Sequence, residues 1–137
     1  MSPQQTTPGG TLVLDCEGLA KAVLQDRDLN EWLALARAQD RRVITSAATL
    51  VEVAHPRLKL PALEWVLSRV VVEPVTDSLA RRATKLLTRG GLHGHKHAID
   101  AMLAATALAA PGPVMILTSD PDDLRALCGD RAAVIKV

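Results

Sequence analysis

Short apolar runs alternating with stretches of helical periodicity constrain this chain more than any other feature. TLVLDC (11–16), RRVITS (41–46), RVVVEPV (69–75), VMILTSD (114–120) and AAVIKV (132–137) each read as a strand, most of them apolar without polar alternation. Between them lie helical patterns. Glu17 to Leu24 forms the first, and Leu29 to Gln39, with Trp32, Leu33, Leu35 and Ala36 on one face, forms the second. Ser46 caps a short helix carrying Leu50, Val51 and Glu52 that Pro56 stops, and Pro61 opens another that runs to Leu67. Thr76 or Ser78 starts a long amphipathic helix closed by Gly90-Gly91. Residues 97–110 form an apolar helix, and Ser119 or Asp120 starts the last one at Pro121. Strands that alternate with helices in this way predict a parallel sheet covered on both faces, the three-layer α/β architecture.

Composition narrows the class. The chain has 137 residues, enough for one domain over 11–137 behind a polar, Pro- and Gly-rich tail, MSPQQTTPGG, at 1–10. Its 48% hydrophobic and 23% charged residues are ordinary globular usage, and a net charge of +1 excludes a whole-molecule basic field. Trp32 and Trp65 are the only aromatics, which leaves little for stacking bases. Cys16 and Cys128 make neither a disulfide framework nor a zinc quartet, and they suit a reducing compartment. The N-terminus lacks signal-peptide regions and no apolar run reaches the roughly 18 residues of a membrane span, so the expectation is a cytoplasmic protein without membrane association.

One acidic residue interrupts the apolar helix HAIDAMLAATALAA at 97–110: Asp100. An ionised carboxylate on a buried helix needs pairing, hydrogen bonds or a metal. Asp15 at the end of the first strand and Asp120 just past the fourth would lie at the sheet edge where open parallel sheets bind ligands. Glu52 and Asp100 lie on helices able to reach the same edge, and Asp123 follows Asp120 by three helical positions. Singly, Asp15, Asp120 and Asp123 also read as helix caps and Glu52 as a solvated residue. Together their like charges raise one another's pKa, and a divalent cation resolves the conflict. Oxygen ligands select Mg²⁺, with Mn²⁺ able to substitute, and the matching chemistry is phosphodiester hydrolysis by metal-activated water.

The order LVLD, TLVEVA, IDAMLAATAL, ILTSDPDDL resembles the four acidic motifs of the PIN-domain ribonucleases, which include the VapC-like toxins of VapBC-type toxin–antitoxin modules. The resemblance spans Thr11 to Val137 and implies a PIN-like, mainly parallel five-stranded sheet flanked by helices. It implies that Asp15, Glu52, Asp100 and Asp120 are catalytic and metal-binding, with Asp123 as a further ligand and Thr118 as an accessory hydroxyl. It also implies a Mg²⁺-dependent endoribonuclease acting on RNA, a homodimer, and a small antitoxin that blocks the acidic pocket. Two departures stand out: Cys16 and Glu17 follow Asp15 where Ser or Thr is usual, and Leu124 stands where an aromatic is common.

Arg81, Arg82, Lys85 and Arg89 form a basic stripe that reads either as an ordinary helix face or, with His95 and Lys96, as contacts to an RNA backbone. HGHKH brings His93, His95 and His97 close in sequence and reads as a solvated or phosphate-touching loop ahead of a transition-metal site. Two other functions compete: a catalytically silent PIN-fold binding module, motivated by Cys16 and Glu17, and a haloacid-dehalogenase-like phosphatase, suggested by LVLDCEG and SDPDD. The latter wants a second Asp where Glu17 stands.

Overall fold

Every side chain of β1 (Thr11–Leu14) is buried, as a strand covered on both faces requires. The computed structural model describes residues 9–137 and places β1 at the centre of one sheet with β2 (Arg42–Ser46), β3 (Val71–Glu73), β4 (Val114–Thr118) and β5 (Ala133–Lys136). The order is β3-β2-β1-β4-β5, with every neighbouring pair parallel. The chain thus builds outward from β1 to one side, then returns through β4 to build the other side. That reversal makes the crevice between β1 and β4 a topological switch point. Leu14 pairs with Leu117, so Asp15, the first residue past β1, lies beside Thr118, the last of β4.

The strand side chains alternate between two cores. Leu12, Leu14 and Leu117 pack with Leu19, Leu29, Leu63 and Val66 of α1 (Cys16–Val23), α2 (Arg27–Ala38) and α4 (Leu60–Leu67). Val13, Ile44 and Ile116 pack with Leu86, Leu103 and Leu127 of α5 (Asp77–Gly90), α6 (Gly94–Ala109) and α7 (Pro121–Cys128). This is the three-layer α/β sandwich the alternation predicts. Ser46 accepts from the Ala48 amide at 3.2 Å to start α3 (Ala47–Glu52), and Thr76 accepts from Leu79 at 3.1 Å to start α5. Gly91 closes α5 in the left-handed region, with φ 67°.

The structure departs from expectation in three places. β3 spans three residues rather than the whole of RVVVEPV, because it is an edge strand that Pro74, lacking an N–H, cannot extend. The HGHKH segment is not a loop: the amides of Lys96 and His97 bond the His93 carbonyl, forming one helical turn that continues into the apolar helix across a break at His97 (φ −119°, ψ 18°). Of the expected tail, residues 1–8 lie outside the described residues, whereas Gly9 and Gly10 are bonded to Asp40 and Arg42. Gly10 has φ +91° and a Cβ there would meet the Pro113 carbonyl, so the position requires glycine. Among the described residues, no helix is long and apolar enough to cross a membrane.

Candidate metal centre

The edge between β1 and β4 collects acids from four helices. Asp15, the first residue past β1, caps α1: its Oδ1 accepts from the Gly18 amide at 2.8 Å, while its own amide donates to the Leu117 carbonyl at 3.3 Å. The cap reading therefore holds for it. Asp15 is 8% exposed, and burial raises its carboxyl above the usual range against the opposing pull of hydrogen bonds from Thr118 and the Gly18 and Glu17 amides. Thr118, buried at the end of β4, also accepts from the Asp120 amide at 3.0 Å. The accessory hydroxyl thus touches the backbone of one acid and faces the carboxylate of another.

Glu52 ends α3, the helix that packs on α6. It is exposed as a residue, yet its carboxyl is raised, first by burial of the end turned toward the cluster and then by Asp100, Asp15 and Glu17. An anion at a helix C-terminus has no help from the dipole. Asp100 lies three residues past the break in α6, in the first turn of the inner segment. It is raised by burial, then by Asp123 and Asp15, with Asp120 adding less and His97 pulling the other way. Asp123, in the first turn of α7, lies closest to it in effect. Asp120, the exposed N-cap residue of α7, makes no side-chain cap bond and sits further out, so the structure ranks Asp123 ahead of Asp120 around Asp100.

His97 faces this group. Its Nδ1 lies 3.3 Å from Asp123 Oδ2, and one ligand atom each from His97, Asp100 and Asp123 all lie within 4.8 Å of one another. A set of carboxylate oxygens with one imidazole, mutually repelling and part-buried, fits a divalent cation. Two members escaped the sequence reading as site residues. Glu17 raises Asp15 and Glu52, and the half-buried Cys16 thiol is pushed up to about 12 by burial and by Glu52, Glu17, Asp15 and Asp100. Their position directly after Asp15 at a helix start was the available signal.

The basic residues fall elsewhere. Arg81 is taken by Asp77 at 2.9 Å, while Arg82, Lys85 and Arg89 line a groove with Arg131, Leu86 and Leu108. His95 and Lys96 are exposed on the first turn of α6, and the His95 ring lies 5.8 Å from that of His93. Only His97 of the three histidines turns to the acids.

Because burial and like charge raise Asp15, Glu52 and Asp100 together, the metal-free protein should lose stability as pH climbs. Below the ordinary carboxylate values of 3.8 and 4.5 these groups are protonated folded and unfolded alike. As pH rises through their raised folded values, the unfolded chain releases protons that the folded chain holds, and stability falls. In chelator, the parent's midpoint of thermal unfolding should drop over that window relative to Asp15→Asn, and added Mn²⁺ should restore it. An identical pH response in both proteins would contradict the electrostatic assignment.

The chain belongs to the PIN domain family, a family of nucleases, whose model matches residues 13–129. VapBC2 from Rickettsia felis bound to a DNA fragment from their promoter is similar in structure, with TM-score 0.70 and 16% identity over 93% of this chain and 98% of that one. FitAB bound to an IR36 DNA fragment matches at TM-score 0.58 and 19% identity, covering 92% and 94% of the two chains. FitAcB from Neisseria gonorrhoeae matches at TM-score 0.58 and 19% identity over 91% and 96%. No curated protein matches the sequence. Membership of this family sets aside the phosphatase alternative.

Proposed function

We propose that this protein is a divalent-metal-dependent endoribonuclease and the toxin of a toxin–antitoxin pair, with Asp15, Glu52, Asp100, Asp120 and Asp123 holding Mg²⁺ or Mn²⁺. The observation that carries the reading is the convergence of these acids on the β1–β4 crevice with Asp15, Glu52 and Asp100 held above the usual carboxylate range. A cation held by these carboxylates would supply charge stabilisation for phosphodiester hydrolysis. Asp15 and Thr118, fixed by backbone and hydroxyl contacts, hold their positions without reorganising. The test is direct: the purified protein should cut structured RNA with Mg²⁺ or Mn²⁺ and be inert in chelator. Intact RNA, with no metal uptake in calorimetry, would favour the silent binding module.

The groove of Arg82, Lys85, Arg89 and Arg131 supports an RNA-backbone track, to which His95 and Lys96 contribute from α6. Replacing Arg82, Lys85 and Arg89 by Ala should weaken RNA binding evenly across sequences. In a salt titration, each lost contact should flatten the slope of log K against log salt by about 0.7. An unchanged slope would move the track elsewhere. An antitoxin partner is supported by the likeness to VapBC2 and FitAB and by a groove lined by Leu33, Val43, Val66 and Val70, with Arg37 and Arg41 also contributing. Exposed Val51, Leu60 and Trp65 leave apolar surface for that partner and for a second copy of the chain in a homodimer.

A further inference from the structure

We infer that His97 is itself a ligand of the catalytic cation, so that the centre binds metal through one imidazole nitrogen together with Asp100 and Asp123 and prefers Mn²⁺ to Mg²⁺. The inference rests on the metal-dependent reading above and adds a nitrogen to a site otherwise read as all oxygen. Three observations carry it. Among the described residues, His97, Asp100 and Asp123 are the one group of at least three His, Cys, Asp or Glu side chains whose ligand atoms come within 4.8 Å of one another, the spread that a single ion spans. The His97 side chain is only 12% exposed and faces acids, whereas His93 and His95, four and two residues earlier, are exposed and face each other. His97 stands at the break in α6 and Asp100 in the first turn beyond it, and the Asp123 carboxylate of α7 comes within reach of both.

The donor set decides the metal. Mg²⁺ demands oxygen ligands in near-ideal octahedral geometry and sheds water reluctantly, while an imidazole favours first-row transition ions. A His97 that merely holds Asp123 by a hydrogen bond would leave the metal in an all-oxygen shell, and this is the rival that the experiment must separate. Cys16 does not belong to the group whose ligand atoms lie within 4.8 Å of one another.

Mn²⁺ titrated into metal-free protein can be followed by electron paramagnetic resonance, with pulsed measurement of ¹⁴N coupling. The parent should bind Mn²⁺ with resolved nitrogen coupling, and a His93→Ala/His95→Ala variant should keep that coupling. His97→Ala should lose it. Mn²⁺ affinity should then weaken by about 10- to 100-fold with Mg²⁺ affinity changed far less, so the Mn²⁺ over Mg²⁺ ratio falls at least tenfold. Mn²⁺ bound to the parent without nitrogen coupling, in a protein that still cuts RNA, would overturn the ligand role and leave the nuclease standing. No Mn²⁺ binding by the parent at all would overturn both. The parent's own spectrum decides the matter even where His97→Ala fails to fold.

Discussion

Asp100→Asn should reduce RNA cleavage by at least about 100-fold, since loss of an outer partner alone costs a metal site 10- to 100-fold and this residue is proposed as a ligand. The same substitution should raise the midpoint of thermal unfolding in chelator at neutral pH. Asn keeps the size of Asp and removes a charge that burial, Asp123 and Asp15 all disfavour. Below about 3.8, where Asp100 is protonated in folded and unfolded chains alike, the stability difference should vanish; it should appear as pH rises through the raised folded value. Activity and metal-free stability therefore move in opposite directions, which no simple folding defect produces. A variant that cuts RNA at the parental rate would remove Asp100 from the site.

Leu103→Ala, on the same helix, should do the reverse. Leu103 is 1% exposed in the core between the sheet and α5 to α7, among the small side chains of Ala101, Ala104, Ala105 and Ala107. Those alanines bring backbones close and cannot swing into a void. Truncation should therefore cost about 2 to 5 kcal/mol, a large part of a typical domain's stability, and lower the unfolding midpoint on the order of 10 °C. Metal affinity per folded molecule should stay near the parental value, because Leu103 is buried in an apolar cluster that includes none of the acids. A loss below about 1 kcal/mol in urea unfolding would mean that the helix packs less tightly than its burial indicates.

The strands and most helices were legible because a buried parallel strand must be apolar on both faces and helix starts need local caps. TLVLDC and VMILTSD follow the first rule, and Ser46 and Thr76 follow the second. Asp100 was legible as a flaw in an apolar helix. Edges were less so: the seven residues of RVVVEPV yield a three-residue strand, since an edge position and Pro74 limit pairing in a way local apolarity does not record.

By itself the sequence determined the alternation of strands and helices, the motif order that marks a PIN domain, and the residue types able to hold a hard cation. These depend on neighbours a few positions apart. Only the tertiary structure decided which acids meet. The parallel pairing of Leu14 with Leu117 sets Asp15 beside Thr118, and the packing of α6 on α7 brings Asp123 ahead of Asp120 to Asp100. Likewise, HGHKH offers three equivalent histidines along the chain, yet the break at His97 turns just one of them inward. Distances between groups tens of residues apart are set by how layers pack, and a pKa follows those distances and burial, not spacing along the chain.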